Sequence, residues 1–454
     1  MKKILFILLM FMPLIAFADT VLIRGIYFNL DYENNTAEVT SNPQKYTGYV
    51  TIPDYIRSVD NLYYCVTAIG EDAFNGCVDL SHVDIPNTVI SIGNRAFRGC
   101  RNILSISIPE SIESIGAFAF DGCGFQHVLI NDLVAWCNIK FDSYNSNPVS
   151  CSNRVYLYGE DIIDLEIPEE ITAINDYAFC NFTYLKSVIL PNSVRKIGCN
   201  AFANSKNLVD INLSENIMYI GADALKNTKW YEDHSDGVVY AGLHAYKYKG
   251  KMPVGTNIEI SEGTKSIVGS AFSECKELCS VIIPNSVEAI GDRSFEHCIN
   301  LDNLVIPSGI KTIGSYAFFD CISLSNIEIG SGLITINESA FGWCPNLCDV
   351  ICMSVNVPNA SENSFDGSLD NSILYVPALT INEYKHSKPW NKFKKILTLD
   401  GEDVEEMIIN DPILSDTSIP MRIFSVDGKL IEELYPGIHI VHLTNRKSIK
   451  VIIK

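Results

Sequence analysis

The sequence predicts an α/β solenoid in which 23-residue coils stack through one parallel sheet and are joined by short helical turns. The first observation is a ten-residue pattern that recurs at a fixed interval: AIGEDAFNGC (68–77), SIGNRAFRGC (91–100) and SIGAFAFDGC (114–123). The second is composition, because 47% of the 454 residues are hydrophobic and 19% are charged, as in folded chains. A unit this short cannot bury a core alone, so its copies must stack on one another.

The repeat frame continues through most of the chain, and the step is constant inside each uninterrupted block. The last step, from Phe341 to Phe365, is one residue longer than the others. Eleven copies occupy residues 68–77, 91–100, 114–123, 173–182, 196–205, 219–228, 266–275, 289–298, 312–321, 335–344 and 359–368. The chain therefore carries an array of equivalent units that is interrupted twice.

Residues 80–103 show how one coil is built. In LSHVDIP, Val83 alternates with His82 and Asp84, which predicts a strand with apolar side chains inward and polar ones outward. The proline that follows has no N–H for a ladder and marks the end of the strand. Gly93 allows a sharp bend after a second short extended piece. The next letters, NRAFRGC, place alanine, phenylalanine and cysteine within one helical turn that packs inward.

The chain divides into five predicted segments. MKKILFILLMFMPLIAFADT has two lysines, an apolar run and an A-x-A site, the pattern of a signal peptide cleaved after Ala18. The alternative, a membrane anchor, needs an apolar run of ~20 residues, which this segment does not reach. The segments are 1–18, the signal peptide; 19–65, an N-terminal β cap; 66–398, the solenoid, with inserts near 125–160 and 229–255; 399–415, an acidic linker; and 416–454, a small β module.

A family resemblance follows from the repeat pattern. IPNSVEAIGDRSFEHCINLDNLVIPSGIKTIGSYAFFDCISLSNIEI (283–329) resembles the BspA-like leucine-rich repeats of Bacteroides-type surface proteins, and the match spans about 50–398. The resemblance implies a leucine-rich repeat array in a secreted or cell-surface protein. It also implies binding of other macromolecules, including host extracellular matrix proteins, and it does not imply an enzyme.

The C-terminal segment resembles the small β-sandwich sorting domains of Bacteroidetes secretion. Phe424, Gly428, 437–441 and 450–454 fit the pattern of that module, whereas His439 stands where a tyrosine is usual. The resemblance implies a signal for export or surface attachment that is removed after use or anchors the chain. A plain structural tail is the alternative.

Fifteen cysteines raise the question of disulfides or metal. Stacked side chains in one column leave Cβ atoms about 4.8 Å apart, whereas a relaxed disulfide needs about 3.8 Å. Other coils carry phenylalanine, serine or threonine in the same column, so disulfides could not link every pair of successive coils. We expect small buried thiols and no metal or cofactor. The column, three residues after the repeat phenylalanine, contains Cys77, Cys100, Cys123, Cys275, Cys298, Cys321 and Cys344.

The charge and the missing motifs exclude several functions. A formal net charge of −20 disfavours nucleic-acid binding, which needs lysine and arginine to replace counterions, and disfavours anionic membranes. None of the eight histidines lies in a local nucleophile or metal motif. After signal cleavage no segment has 18 uninterrupted apolar residues. We therefore expect no enzyme, no nucleic-acid partner and no transmembrane span.

The outward strand positions form the predicted ligand face. Three of them are apolar where water is expected, and an apolar patch rimmed by polar groups suits docking. Ordinary β-propensity on a solvent face is the alternative. The predicted face contains His82, Asp84, Ser105, Ser107, Ser187, Ile189, Asp210, Asn212, Ser280, Ile282, Asn303, Val305, Asn326 and Glu328.

The insert GVVYAGLHAYKY supplies a second candidate surface. It predicts a hairpin with its turn at Ala241-Gly242. Its tyrosines Tyr240, Tyr246 and Tyr248 are candidate contacts, because aromatic residues anchor interfaces. The alternative is that they pack the hairpin onto its neighbours.

Two functional hypotheses remain. The first is an exported or cell-surface protein that binds a protein or glycan ligand, for adhesion or recognition, through the solenoid face. The second is a structural or assembly component of the cell envelope with the repeats as a spacer. A third, an enzyme acting on glycan, has no motif in its favour.

Overall fold

The computed structural model describes residues 20–408, apart from Asp60, Asn153 and Asp370, together with the strand residues 422–424, 437–442 and 448–453. The predicted signal peptide lies outside the described residues. The chain forms two compact units. The first unit is Met1–Ile189 with Phe202–Asp210, and the second unit is Leu190–Ala201 with Ile211–Lys454.

Residues 20–189 form short strands and one α-helix, α1 (Leu133–Asn138), with 3₁₀ turns at Tyr144–Ser146 and Pro148–Cys151. The strands are β1 (Thr20–Ile23), β2 (Ile26–Asp31), β3 (Thr36–Thr40), β4 (Gly48–Thr51), β5 (Tyr55–Arg57), β6 (Tyr63–Ile69), β7 (Leu80–Asp84), β8 (Ser91–Ile92), β9 (Ser105–Ile108), β10 (Ser114–Ile115), β11 (His127–Ile130), β12 (Lys140–Phe141), β13 (Arg154–Leu157), β14 (Glu160–Asp161), β15 (Asp164–Glu166), β16 (Ala173–Ile174) and β17 (Ser187–Ile189).

Residues after 189 form two further α-helices, α2 (Lys229–Glu232) and α3 (Ile381–His386), with 3₁₀ turns at Ala378–Thr380 and Trp390–Lys392. The strands are β18 (Lys196–Ile197), β19 (Asp210–Ile211), β20 (Tyr219–Ile220), β21 (Gly237–Ala241), β22 (His244–Lys249), β23 (Thr256–Glu259), β24 (Ser266–Ile267), β25 (Leu278–Ile282), β26 (Ala289–Ile290), β27 (Asn303–Ile306), β28 (Thr312–Ile313), β29 (Asn326–Ile329), β30 (Thr335–Ile336), β31 (Asp349–Cys352), β32 (Asn359–Ala360), β33 (Ile373–Val376), β34 (Lys395–Thr398), β35 (Val404–Ile408), β36 (Arg422–Phe424), β37 (Gly437–His442) and β38 (Ser448–Ile453).

The predicted solenoid of 23-residue coils is confirmed. Each coil contributes one strand to each of two parallel ladders, so the structure adds a second ladder to the predicted sheet. In the second unit one ladder is β22–β24–β26–β28–β30–β32 and the other is β27–β29–β31–β33–β34. In the first unit they are β3–β6–β8–β10–β12 and β9–β11–β13.

The core of each unit is a column of equivalent side chains. In the second unit five phenylalanine rings stack with centroids 5.0 to 5.3 Å apart: Phe272, Phe295, Phe318, Phe341 and Phe365. Burying one phenylalanine contributes roughly 1.5–3 kcal/mol, and each ring is covered only by the coils on either side. A single coil therefore has no core of its own.

Each coil closes through consecutive turns around its phenylalanine. The Cys100 N–H donates to the Phe97 carbonyl three residues earlier, at 3.1 Å. Phe97 is flanked by two residues with positive φ, Arg95 at 55° and Gly99 at 74°. The same two positions are left-handed in the neighbouring coils, so the bend comes from these sites.

Gly93 was predicted to allow a sharp bend, but the structure shows that glycine is needed there for another reason. Its φ lies outside the left-handed region, but a Cβ there would lie 2.6 Å from the Glu71 main-chain nitrogen in the preceding coil. Glycine is required at this position because two coils approach closely, and its conformational freedom is not used.

The cysteine column joins successive coils by hydrogen bonds. The Cys100 and Cys123 thiols donate to the carbonyl oxygens of Phe74 and Phe97, each at 3.0 Å. In the coil where serine occupies the column, the Ser205 hydroxyl makes the equivalent bond to an earlier carbonyl at 2.9 Å. In these three coils the column carries a small side chain that donates one hydrogen bond, whereas Phe182 in the same column has no group that can donate one.

The first insert continues both parallel ladders through β11, β12 and β13, and it carries a packed helix, α1, between β11 and β12. Asp132 caps α1 by accepting from the Ala135 N–H at 2.7 Å. Trp136 is 1% exposed and donates through Nε1 to the Ala178 carbonyl at 2.9 Å. The insert thus supplies a large aromatic side chain where the repeat pattern stops.

The second insert is the predicted hairpin, with its turn one residue later than expected. Ala241 pairs with His244, so the loop is Gly242-Leu243 and not Ala241-Gly242. Gly242 has a φ of +57°, a conformation that glycine adopts without steric cost, and this fixes the register of the turn.

The remaining predicted segments are placed as follows. In the segment assigned to the N-terminal β cap, β1, β2 and β3 are antiparallel neighbours. β35 lies in the segment assigned to the acidic linker and pairs in parallel with β38. In the segment assigned to the small β module, β36, β37 and β38 form an antiparallel sheet. The domain boundaries remain predictions.

Candidate functional site

The outward side of the β27–β29–β31–β33–β34 sheet carries two rows of side chains, because every second residue of a strand points to the same face. Register pairing across parallel strands brings equivalent coil positions side by side. The first row is Asn303, Asn326 and Asp349, and the second row is Val305, Glu328, Ile351 and Tyr375.

The two rows line an open cavity of about 380 Å³ in the second unit, here named the face groove. Ligand sites typically have volumes of roughly 300–1,000 Å³, so the groove is large enough for a ligand. Four residues of the predicted ligand face lie in it: Asn303, Val305, Asn326 and Glu328. The complete lining is Asn303, Leu304, Val305, Asn326, Ile327, Glu328, Asp349, Ile351, Tyr375 and Leu399.

The first row is oriented by a chain of amide hydrogen bonds. The Asn326 Nδ2 donates to Asn303 Oδ1 at 2.8 Å, and the Asn303 Nδ2 donates to Asp302 Oδ2 at 2.9 Å. Asn326 also donates to the Ser325 Oγ at 2.9 Å. These bonds fix the amides before a ligand arrives, which reduces the entropy that binding must overcome.

Tyr375 and Asp349, which both line the groove, interact with each other. Burial raises the pKa of Tyr375, and the charge of the Asp349 carboxylate and a hydrogen bond to it raise that pKa further. The phenol therefore keeps its proton at neutral pH and can donate to the carboxylate. The pair holds one negative charge in a defined position.

The second row mixes apolar and polar side chains, and of its members only Val305 is exposed, whereas Glu328, Ile351 and Tyr375 are half-buried. Val305 is 54% exposed, and Leu399, which follows β34, is 47% exposed. Ile351 is half-buried between them. Aliphatic groups beside fixed amides and carboxylates are the mixture that binding clefts use, because apolar contact supplies affinity and polar groups supply specificity.

The repeat pattern matches a family model, the BspA type leucine-rich repeat region. The match comprises six copies over residues 67–156, 150–235 and 243–371. It covers more than half of the chain. This chain belongs to the BspA-type leucine-rich repeat family.

Solved structures similar to this leucine-rich repeat chain come from several bacteria. A leucine rich cell surface protein from Faecalibacterium prausnitzii is 23% identical, with a TM-score of 0.37, 84% of this chain covered and 95% of that chain. A leucine-rich repeat protein from Bacteroides ovatus is 21% identical, with a TM-score of 0.33 and coverages of 83% and 99%. The pneumococcal vaccine antigen PcpA is 15% identical, with a TM-score of 0.37 and coverages of 84% and 98%. No curated protein matches the chain significantly.

Other predicted face residues of this leucine-rich repeat chain lie outside the face groove. In the second unit, Ile282 is 62% exposed and Ser280 donates to Asn257 Oδ1 at 2.5 Å. Asn212 donates to the Leu190 carbonyl at 3.1 Å and accepts from the Leu190 N–H at 2.6 Å. The Asn212 amide is thus occupied by the backbone.

The first unit carries the rest of the predicted face. Ile189 is 54% exposed, Asp210 is exposed, and Ser187 donates to an aspartate, Asp164, at 2.5 Å. Ser105 is half-buried on β9, beside Ser107. These residues occupy outward positions on their strands.

His82 and Asp84 form a separate cluster in the first unit. The His82 ring stacks on Tyr49, with centroids 4.3 Å apart, and its Nε2 lies 2.8 Å from an Asp84 oxygen. Thr51 donates to the other Asp84 oxygen at 3.0 Å. Asp84 therefore has partners on both carboxylate oxygens.

The hairpin tyrosines have different environments. Tyr246 is 1% exposed, and its hydroxyl accepts from the Leu225 N–H at 2.8 Å, so it packs the insert. Tyr240 is half-buried and its hydroxyl accepts from the Ser261 N–H at 3.0 Å. Tyr248 is half-buried and packs on the core of the second unit.

Sequence reasoning missed six residues of the face groove, of which Leu304 and Ile327 are buried core residues and four are not. Asp349 and Ile351 stand one repeat step after Asn326 and Glu328, so extending the same count by one coil would have found them. Tyr375 lies one residue beyond the next step from Ile351, which hides it from a strict count. Leu399 follows the last strand, and no repeat position marks it.

The described part of this leucine-rich repeat chain shows neither a metal cluster nor a membrane-spanning helix. Among the residues that the structure describes, no group of three or more histidine, cysteine, aspartate or glutamate side chains could hold a metal ion. The described helices are all too short or too polar to cross a membrane.

Proposed function

We propose that this protein is exported, acts at the cell surface or in the medium, and binds a protein or glycan ligand through the face groove. The single observation that carries the proposal is the groove itself, where exposed Val305 lies beside fixed Asn326 and the Asp349–Tyr375 pair. The family and the signal-peptide pattern of residues 1–18 support the location. Host extracellular matrix proteins are ligands to test first.

The proposal assigns recognition to the groove and no catalytic step. Its amides donate to neighbouring residues, and one of its carboxylates interacts with a tyrosine. Such fixed groups match a ligand by shape and hydrogen bonding. Asp302, which precedes β27, accepts from Asn303 and from Ser325, so the rim is rigid as well.

A structural or assembly component of the cell envelope is the second candidate. The observation in its favour is that outward polar residues outside the groove are occupied within the chain, as Asn212 and Ser187 show. In that function the repeats act as a spacer, and the face groove has no ligand.

Binding to a panel of matrix proteins and surface glycans separates the two candidates. We expect wild-type protein to bind at least one member of the panel, and Val305→Lys to abolish that binding by filling the groove. Ile282→Lys is the matched control, because Ile282 is 62% exposed, against 54% for Val305, and lies on a strand outside the lining. Loss of binding in the control alone, or in neither variant, would reject the face groove as the site.

A further inference from the structure

The face groove contains two carboxylates on adjacent strands. Register pairs Asn326 with Asp349 and Glu328 with Ile351, so Glu328 and Asp349 are diagonal neighbours. Diagonal side chains on one face of a sheet lie roughly 7–8 Å apart. A single ammonium or guanidinium group fits between two carboxylates at that separation.

These carboxylates have no cationic partner in the part of the chain that the structure describes. No ion pair joins Glu328 or Asp349 to a lysine or arginine. Lys395 is the nearest cation along the first row, and Ile373 separates it from Asp349. The groove is therefore negative at its centre.

Aliphatic groups surround the charged pair. Val305 and Ile351 belong to the same row as Glu328, and Leu399 closes the groove beyond the last strand. Lysine and arginine pack their methylene stems on such surfaces while the charged head stays with polar groups. The lining therefore suits a basic side chain flanked by apolar ones.

The dimensions favour an extended peptide. Five strands spaced about 4.8 Å apart span roughly 19 Å, which corresponds to about six residues at an extended rise of about 3.3 Å. The formal net charge of −20 adds a long-range field that attracts basic partners and accelerates association.

We propose that the occupant of the face groove is an extended, basic peptide segment of a partner protein. Its lysine or arginine binds between Glu328 and Asp349, and its apolar neighbours pack on Val305, Ile351 and Leu399. This inference rests on the proposed function, since it names the chemistry of the ligand at the same site.

The test uses the full chain and a defined probe, a fluorescein-labelled hexapeptide in which valine alternates with lysine or arginine. Fluorescence anisotropy measures its binding. The matched probe replaces every lysine and arginine with glutamine. We expect the basic probe alone to bind, and to bind more weakly as salt rises from about 0.1 M to about 1 M.

Two paired variants locate the interaction. Glu328→Gln with Asp349→Asn keeps the side-chain shapes but removes both charges, and we expect binding of the basic probe to weaken about fivefold or more. Glu215→Gln with Glu262→Gln removes two exposed charges of the same unit outside the groove and should leave binding unchanged. If both pairs of substitutions weaken binding of the basic probe equally, the inference is wrong, because the loss of binding then follows from the change in net charge alone.

The remaining outcomes distinguish this inference from the proposed function. In one outcome a neutral glycan or neutral peptide binds, Val305→Lys blocks that binding, and the basic probe does not bind. The groove is then the binding site, but the proposed basic ligand is wrong. If the basic probe binds equally to wild type and to the Glu328/Asp349 variant, it binds elsewhere and the inference fails. If nothing binds in a way that Val305→Lys removes, the proposed function fails too.

Discussion

The Cys100 thiol donates a hydrogen bond to the Phe74 carbonyl oxygen, with Sγ and O 3.0 Å apart, and so ties its coil to the preceding one. The Ser205 hydroxyl makes the equivalent bond to Phe179. Cysteine and serine therefore make the same hydrogen bond between coils at these two positions.

The first prediction follows from that bond. Cys100→Ser keeps a donor and should change the free energy of unfolding by less than about 1 kcal/mol. Cys100→Ala loses the bond and leaves a small void, so it should cost about 1 kcal/mol more than Cys100→Ser. Urea denaturation of both variants measures the difference. Equal destabilisation by serine and alanine would contradict a role for the hydrogen bond.

Thiol reactivity should separate the column from exposed cysteines. Burial raises the pKa of Cys100 to about 12, and burial also raises that of Cys344 to about 12. Thiolate is the reactive form, so these residues should resist maleimide at neutral pH, whereas exposed Cys348 should react first. Peptide mapping after timed labelling, with and without denaturant, checks the order. Rapid native labelling of Cys100 would be inconsistent with its burial.

The close approach at Gly93 predicts a steric penalty. Gly93→Ala places a methyl group 2.6 Å from the Glu71 nitrogen and 2.8 Å from the Gly70 carbonyl carbon, both main-chain atoms. We expect a cost of about 1–3 kcal/mol, typical of overpacking. Ser91→Ala, two residues earlier, is the control and should be nearly neutral. Thermal unfolding reports both, and a neutral Gly93→Ala would mean that the coils can separate without cost.

A buried histidine predicts a pH dependence of stability. His244 is 1% exposed; its Nε2 lies 3.0 Å from the Ile217 carbonyl and its Nδ1 lies 2.7 Å from Ser266 Oγ. The carbonyl can only accept, so Nε2 carries the proton and the Ser266 hydroxyl donates to Nδ1. Burial lowers the pKa of His244 from its ordinary 6.5, although the Ile217 hydrogen bond opposes this.

The direction of the effect follows from proton uptake. Below pH 6.5 the unfolded chain protonates His244 while the folded chain does not, so stability falls as the pH drops toward the lower folded pKa. His244→Gln keeps an amide donor but does not titrate. The urea midpoint of wild type should therefore fall more than that of His244→Gln between pH 7 and pH 5. Parallel pH profiles would refute the assignment.

Much of the fold could be predicted from the sequence because the period is carried by residues that the stacking requires. Gly93, Phe97 and Cys100 each contact their equivalents or backbone in a neighbouring coil, so the 23-residue spacing is a direct record of the stack. The left-handed turn positions were less visible, because Tyr316 and Trp343 occupy them in some coils and neither marks positive φ.

The face groove could be predicted only in part. Asn303, Val305, Asn326 and Glu328 follow from alternation along strands inside the repeat. Tyr375 depends on a coil that is one residue longer, and Leu399 depends on how the chain leaves the sheet after β34. The repeat period predicts side chains that have an equivalent coil on both sides. At the end of the array a coil has such a neighbour on one side only, so the period does not predict the residues there.

Site-specific photo-crosslinking in the native setting shows whether the face groove is where this protein meets its ligand. A photoreactive amino acid is placed at Ile351, in the groove, or at Ile334, which is 60% exposed and outside the lining. We expect a discrete partner crosslinked from position 351, whose capture the basic hexapeptide reduces, and no partner crosslinked from position 334. A partner captured only from position 334, or equally from both, would contradict it.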